Sequence, residues 1–373
     1  MRTELCDRFG IEYPIFVFTP SEKVAAAVSR AGGLGMLGCV RFNDADDLEN
    51  VLQWMDANTD GKPYGVDIVM PAKVPTEGTS VDINKLIPQT HRDFVDKTLA
   101  DLGVPPLPED EARSEGVLGW LHSVARSHVE VALRHPIKLI ANALGSPPKD
   151  VIDQVHAAGV PVAALAGSAK HAQRHAENGV DIVIAQGHEA GGHTGEIASM
   201  VLVPEVVDAL GGDTAVLAAG GIGSGRQVAA ALALGAQGVW MGSAFLTAAE
   251  YDLGVRTEGG ASVIQQALLA AGSSDTVRRR IYTGKPARLL KSRWTDAWDA
   301  DGAPEPLPMP LQNILVSGAH QRMSESSDPT TVAMPVGQIV GRMNEIRPVA
   351  DIIAELVSGF EDATKRLDGI REG

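Results

Sequence analysis

The stretch DIVIAQGHEAGGHTG, residues 181–195, changes from a compact apolar run to a glycine-rich loop. Residues 181–184 are β-branched and bounded by turn formers, a pattern that predicts a buried strand of a parallel sheet. Residues 185–195 contain four glycines. The only ionisable side chains in this loop are those of His188, Glu189 and His193. Because glycines leave room for backbone amides to lie against a flat or anionic ligand, the loop predicts the floor of a cofactor site with a proton-transfer residue beside it.

The same alternation of strand and helix recurs along the chain and predicts the fold. A helix from Pro204, for example, precedes the seventh predicted strand. The predicted strands are residues 14–18, 34–38, 64–69, 137–140, 161–165, 181–184, 215–219 and 238–242. Eight strand-helix units within about 250 residues predict an α/β fold, a (β/α)8 TIM barrel, rather than an open doubly wound sheet. Catalytic groups are then expected at the C-terminal ends of the strands.

Two regions depart from this alternation. We predict that residues 1–246 form a cofactor-binding barrel, interrupted at about 71–116, after the third strand, by an insertion rich in proline and acidic residues. Loops that follow barrel strands converge on the active-site mouth, so this insertion is predicted to be a lid or a homodimer contact, with a plain surface decoration as the equal alternative. Residues 247–373 are predicted to form a C-terminal extension packed on the barrel, with a last helix near 349–367.

Composition limits the partners and the compartment. The formal net charge of −15 argues against non-specific binding to nucleic acid or to anionic membranes. Cys6 and Cys39 are the only cysteines, which is too few for a disulfide framework and fits two inert thiols in a reducing cytoplasm. The N-terminal residues do not resemble a secretory signal, and no run approaches the ~18 apolar residues of a membrane helix.

A second glycine-rich stretch, AGGIGSG at residues 219–225, ends the seventh predicted strand and directly precedes a helix. The eighth predicted strand ends in Met241-Gly242-Ser243. In barrels, the loops after strands seven and eight commonly bind phosphate through backbone amides and a helix N-terminus. The stretch is not a dinucleotide-binding fingerprint, because no ribose-binding acid follows at the expected distance. We therefore expect a phosphate-tailed cofactor anchored here and extending across the barrel mouth.

The ionisable residues of the first loop would lie near the reactive end of such a cofactor. Histidine is well matched to proton transfer near neutral pH, so His193 is the candidate base for removing a proton next to an electron-withdrawing group. Glu189 is expected to orient a neighbouring group or to cap a backbone amide, and His188 to face solvent. No third ligand stands at a recognisable spacing, so no metal site is expected.

The motifs EAGGHTG (189–195), AAGGI (218–222) and WMGS (240–243) together resemble the FMN-dependent nitronate monooxygenase family, formerly called 2-nitropropane dioxygenases. The resemblance extends from Pro14 through AVSRAGGLG (27–35) and YGVD (64–67) to about Leu246, and GQIVG (337–341) resembles a late motif of the family. It covers most of the predicted barrel.

The resemblance implies an FMN barrel in which His193 is the catalytic base. The FMN contacts that it implies are Phe18, Thr19, Asp67, Gln186, Gly191, Gly192, Gly220, Gly221, Trp240, Met241, Gly242 and Ser243. The sequence departs from the family at the end of the first strand, where Val17-Phe18-Thr19-Pro20 replaces a Gln-Ala-Pro-Met-like run, and at Asp67, which stands where the family usually has asparagine. These departures concern the substrate more than the cofactor.

Three functions are compatible with this sequence. The first is an FMN-dependent oxidoreductase that oxidises alkyl nitronates or nitroalkanes with O2 to carbonyl compounds and nitrite. The second is an NAD(P)H-dependent FMN reductase of the quinone or enoyl-thioester type, in which the same histidine motif occurs. The third is a non-catalytic flavin-binding module, in which His193 would be structural.

Overall fold

A computed structural model of the chain describes residues 1–70, 83–107, 122–256 and 260–372. The strands, in chain order, are β1 (Ile15–Thr19), β2 (Leu34–Gly38), β3 (Tyr64–Ile68), β4 (Ile140–Asn142), β5 (Val162–Ala166), β6 (Ile182–Gln186), β7 (Gly192–His193), β8 (Ala215–Ala219), β9 (Gly238–Met241), β10 (Thr276–Arg279) and β11 (Ala287–Leu290).

Eight of these strands form a closed parallel barrel, which confirms the predicted (β/α)8 fold. Their order around the barrel is β1, β2, β3, β4, β5, β6, β8 and β9. The barrel closes because β1 pairs with both of its neighbours: Val17 lies opposite Gly35 on β2 and opposite Met241 on β9. All eight strand ends therefore deliver their following loops to one rim.

The helices, in chain order, are α1 (Glu4–Phe9), α2 (Glu22–Arg30), α3 (Ala45–Asn58), α4 (Gln89–Asp101), α5 (His122–Ala132), α6 (Lys149–Ala157), α7 (Ala169–Glu177), α8 (Ser199–Leu210), α9 (Gly225–Ala233), α10 (Val263–Leu269), α11 (Arg293–Trp298), α12 (Leu311–Ser324) and α13 (Val349–Glu372). Serine side chains cap the N-termini of α2 and α7, since the Ser21 hydroxyl accepts the Val24 amide N–H and the Ser168 hydroxyl accepts the His171 amide N–H. None of the described helices is both long enough and apolar enough to cross a membrane.

The barrel interior is filled by apolar side chains from alternate strand positions. Phe16, Met36 and Leu217 are fully buried there. Helix α1 closes the N-terminal end of the barrel, where Phe9 packs edge-to-face on Phe16 with ring centroids 5.5 Å apart. Because that end is plugged, the C-terminal rim is the face left to carry a site.

A second, three-stranded sheet, which the sequence did not predict, joins two strands of the C-terminal extension to one strand of the glycine-rich loop. Its order is β10, β11 and β7, so the two-residue strand β7 from the glycine-rich loop pairs antiparallel with β11. His193 lies opposite Ala287 in this register. The extension is thus joined by hydrogen bonds to the loop that carries the candidate base.

The predicted insertion lies only partly within the described residues, since 71–82 and 108–121 fall outside them. Its described part contains α4, whose Val95 and Leu99 join a buried cluster with Ala319 and Met323 of α12. Arg322 of α12 also donates to the carbonyl groups of Val104 and Pro105. This part of the insertion therefore supports the C-terminal extension, while its role as a dimer contact stays a prediction.

Two predicted boundaries were wrong. Strand β4 begins at Ile140 rather than Ile137, although the Lys138 amide already donates to the Tyr64 carbonyl as the chain approaches β3. Helix α8 begins at Ser199, and Pro204 lies inside it. The final helix, α13, covers the predicted 349–367 and continues to Glu372.

Candidate active site

A cavity of about 1020 Å3 opens at the C-terminal rim of the barrel, where the strand ends were expected to gather catalytic groups. Its volume is at the upper limit of the roughly 300–1,000 Å3 of small-molecule sites. Twelve of the thirteen residues predicted for the site line it: Phe18, Asp67, Gln186, Gly191, Gly192, His193, Gly220, Gly221, Trp240, Met241, Gly242 and Ser243. The topology thus brings together residues from five barrel strands or the loops that follow them.

Thr19 is the predicted residue that does not line the cavity. Its side chain is buried, and its hydroxyl oxygen accepts the backbone N–H of Ser21 at 3.1 Å. Ser21 in turn caps α2, so Thr19 shapes the turn between β1 and α2. The hydroxyl of Thr19 is thus bound within this turn, and its contact with FMN stays a prediction.

The glycine-rich loop after β8, which was predicted to bind phosphate, forms part of the cavity wall. Gly220 and Gly221 have φ angles of 97° and 72°, in the left-handed region that side chains other than glycine rarely adopt. The two residues before α9 are bound within the protein, because the side-chain oxygen of Gln227 accepts from the Gly223 amide N–H and from the Ser224 hydroxyl. Gly220, Gly221 and Ile222 line the cavity beside Gly242 and Ser243, which follow the adjoining strand β9. The chain then continues through Gly223 and Ser224 into α9.

His193 is held on the cavity wall by a residue of the C-terminal extension. Its Nε2 lies 2.6 Å from the hydroxyl oxygen of Thr283, a fully buried side chain in the turn between β10 and β11. Burial, with a smaller contribution from the nearby ammonium group of Lys285, lowers the pKa of His193 to about 4. The imidazole is therefore neutral at neutral pH and able to accept a proton.

Two arginines fasten the loop on both sides of His193. Arg288 of β11 donates to the carbonyl oxygen of His188 at 2.9 Å, and Arg278 of β10 donates to the hydroxyl and carbonyl oxygens of Thr194. These bonds span about ninety residues of sequence and fix the backbone that carries His193. Sequence reasoning missed them, because the pairing of β7 with β11 leaves no local pattern.

Glu189 caps a backbone amide, which was one of its two predicted roles. Both carboxylate oxygens accept the amide N–H of Ser199 at the start of α8, and the Ser199 hydroxyl donates to one of them. This remote cap allows α8 to begin five residues before Pro204. His188 is partly exposed, with Nδ1 3.4 Å from a Glu189 oxygen.

Gly191 serves close backbone packing as well as the cavity wall. A Cβ at this position would lie 2.7 Å from backbone atoms of Val336. Gly337, the next residue, donates its amide to the Ser243 hydroxyl, and the Gln338 amide donates to the Glu189 carbonyl. The segment at 336–338 is thus packed between the loop after β6 and the residues that follow β9, which explains why position 191 has no room for a side chain.

Asp67 is a buried carboxyl group at the C-terminal end of β3. Its side chain lines the cavity, and none of the described residues forms an ion pair or a side-chain hydrogen bond with it. Burial raises the pKa of Asp67 to about 8, so the group is mainly protonated at neutral pH. A protonated carboxyl group can donate a hydrogen bond, as the amide of asparagine would.

Part of the cavity wall comes from segments that sequence reasoning did not assign to the site. Tyr251, Tyr282 and His320 line it, the last from α12. A local signal was Gly284-Lys285-Pro286, because glycine and proline mark a turn, which lies between β10 and β11.

Neither cysteine is among the residues that line the cavity. Cys6 and Cys39 are both buried and unpaired with each other, and burial raises the pKa of the Cys39 thiol. Among the residues that the structure describes, no three His, Cys, Asp or Glu side chains are grouped to hold a metal ion.

Comparison with known proteins gives consistent matches over the whole chain. A family model described as nitronate monooxygenase matches residues 2–359. A protein of Mycobacterium tuberculosis that is named as a monooxygenase is 46% identical, with 99% of each chain covered. A protein of Staphylococcus aureus that is named as a nitronate monooxygenase is 26% identical, with 96% of this chain and 97% of the relative covered. The crystal structure of a nitroalkane oxidase from Streptomyces ansochromogenes superposes with a TM-score of 0.77 at 26% identity, covering 97% of this chain and 99% of that one.

Proposed function

Because this chain belongs to the nitronate monooxygenase family, it is an oxidoreductase, and we propose that it uses FMN and O2 to oxidise alkyl nitronates or nitroalkanes to carbonyl compounds and nitrite. The observation that carries the proposal is the position of the His193 imidazole on the cavity wall, with Nε2 2.6 Å from the Thr283 hydroxyl oxygen. The nitroalkane oxidase with a similar structure supports the substrate class.

The residues of the cavity fit FMN by the chemistry of their donors and surfaces. Gly221, Ile222, Gly242 and Ser243 would hold an anionic phosphate at the N-terminus of α9, where backbone dipoles favour negative charge. Phe18, Trp240 and Met241 offer apolar surface to a flat ring system, and Gln186, Gly191, Gly192, Gly220 and Asp67 complete the proposed set. FMN, when bound, supplies the electron acceptor for the substrate and a reduced form that reacts with O2.

His193 would act on the substrate as a base. A proton on the carbon next to a nitro group is acidic, because the resulting negative charge moves onto the nitro oxygens. A desolvated imidazole with a pKa of about 4 is in its basic form over the physiological range. Once the nitronate anion forms beside it, the opposite charge stabilises the imidazolium, so His193 would keep the proton while the nitronate is held.

The experiment compares wild-type protein, His193→Ala and the matched control His171→Ala, in which an exposed histidine of α7 is replaced. Freshly purified wild-type protein should show the visible absorbance bands of flavin and should release nitrite from a primary nitroalkane. His193→Ala should retain flavin and lose nitroalkane oxidation by a factor of roughly 10² to 10⁴, while His171→Ala stays at the wild-type rate. Near-normal activity of His193→Ala would show that His193 is not the base. Purified wild-type protein without flavin would contradict the proposal as a whole.

A further inference from the structure

Two tyrosines on the cavity wall have hydroxyl groups that no described residue satisfies. Tyr251 and Tyr282 both line the cavity, and no hydrogen bond joins either phenol oxygen to a described residue. Tyr251 is buried and Tyr282 is partly buried, whereas the buried Tyr64 donates its hydroxyl to Asp56 at 2.6 Å. Neither phenol oxygen is among the buried side-chain atoms that lack a partner, so both are accessible from the cavity that the two residues line and can donate to a ligand with acceptor atoms.

The position of Tyr282 is fixed by its neighbours. Its ring stacks on the imidazole of His320, with centroids 4.8 Å apart and planes 16° from parallel. The fully buried Trp294 packs edge-on against the other ring of this stack, His320, at 6.0 Å. Tyr282 also directly precedes Thr283, which binds His193, so the phenol belongs to the same turn that positions the candidate base.

The phenols and the imidazole beside them are uncharged over the physiological range. Burial raises the pKa of both tyrosines, and that of Tyr251 is raised further by the proximity of Tyr282. Burial also lowers the pKa of His320 to about 4, and its Nε2 has no hydrogen-bond partner. The guanidinium of Arg41 and the carboxylate of Asp252 also line the cavity, and they act on the pKa of Tyr251 in opposite directions.

Apolar residues surround these donors. Tyr251 belongs to the same buried cluster as Leu246, Ile264 and Val332, all of which also line the cavity. A ligand here would place acceptor oxygens on the phenols and hydrocarbon against these side chains.

We propose that Tyr251 and Tyr282 bind the two oxygens of the substrate's nitro or nitronate group in the cavity that His193 also lines. This inference rests on the proposed function and adds two residues that touch the substrate. As the proton leaves carbon, negative charge develops on the nitro oxygens, and preorganised O–H donors in a water-poor site stabilise that charge. The ligand class is a planar group with two acceptor oxygens on an apolar substituent.

The test uses the flavin-loaded protein and sodium nitrate, a planar anion with acceptor oxygens that does not turn over. Calorimetric titration should give a measurable Kd for the wild type, about tenfold weaker binding for each of Tyr251→Phe and Tyr282→Phe, and still weaker binding for the double variant. The control Tyr13→Phe changes a tyrosine that does not line the cavity and should bind nitrate as the wild type does. With a nitronate substrate, the single variants should also show a raised KM.

Several results would overturn the inference. One is wild-type protein that does not bind nitrate, and another is phenylalanine variants that bind it with the wild-type Kd. Neither hydroxyl has a described protein partner, so both variants should keep the wild-type Tm, and a clear fall in Tm would assign the hydroxyls a structural role instead. Tyrosine-dependent nitrate binding without any nitronate turnover would overturn the proposed function and leave the subsite standing.

Discussion

The imidazole of His193 and the hydroxyl of Thr283 lie 2.6 Å apart, although ninety positions separate them in the chain. This contact joins the barrel to its C-terminal extension at the residue on which the proposed chemistry depends. It is supported by the antiparallel pairing of β7 with β11 and by the bonds of Arg278 and Arg288 to the same loop.

Thr283→Val should reduce nitroalkane oxidation by about tenfold, because the base keeps its place in the chain but loses the partner that orients its ring. Thr283→Ser retains a hydroxyl and should restore most of the rate. Steady-state kinetics should assign the loss mainly to kcat. Equal rates in the valine and serine variants would show that the hydroxyl does not position His193.

Lys285→Gln should move the acidic limb of the pH profile of kcat/KM upwards. The pKa of His193 is lowered first by burial and second by the charge of Lys285, so removing that charge shifts the pKa from about 4 towards its ordinary value. Since the neutral imidazole is the active form, wild-type activity should rise with pH through this pKa and then level off. Lys170→Gln, which changes an exposed lysine at α7, should leave the limb in place. If Lys285→Gln leaves the acidic limb at the wild-type pH, that limb does not report the ionisation of His193.

Asp67→Asn should remove a pH dependence of stability. The native carboxyl has a pKa of about 8 and an unfolded aspartate titrates near 4, so between these values the native state binds more protons and the contribution of Asp67 to stability falls as pH rises. From pH 5 to pH 8.5 the free energy of unfolding of the wild type should fall relative to Asp67→Asn by at most ~4 kcal/mol. Urea unfolding at both pH values measures this difference, with the exposed Asp301→Asn as control. Wild-type and Asp67→Asn values that change in parallel would contradict a buried, protonated Asp67.

Gly191→Ala should destabilise the protein by about 1–3 kcal/mol, because the added methyl group would lie 2.7 Å from the backbone of Val336 and force the two segments apart. Gly318→Ala is the matched control, since a Cβ there meets nothing within 4 Å and alanine favours the helix α12. Urea unfolding should rank the control at or above the wild type. A wild-type midpoint for Gly191→Ala would show that the loop has room for a side chain.

Much of the barrel could be predicted from local patterns. Compact β-branched runs such as Ile182-Val183-Ile184 form strands because the sheet is buried on both faces. The tight turn at the end of β8 requires positive φ angles, which explains the glycine pair Gly220-Gly221. The fold in turn places the ends of β6, β8 and β9 at one rim. His193 could therefore be identified as a cavity residue from its position after the sixth strand.

The remaining features depend on contacts that are distant in sequence. Thr283, Tyr251 and Tyr282 reach the cavity only because the extension folds back over the rim. The start of α8 at Ser199 depends on a carboxylate from Glu189, and the need for glycine at 191 depends on Val336. None of these relationships has a period or a local motif, which explains why a single sequence does not reveal them.

The most direct test of the central claim is anaerobic mixing of the purified flavoprotein with an alkyl nitronate and, separately, with NADH, while the visible flavin bands are followed. We predict that the nitronate bleaches the bands, that admission of O2 restores them with release of nitrite, and that NADH has little effect. Rapid bleaching by NADH with no nitronate turnover would contradict the account and identify an NAD(P)H-dependent reductase.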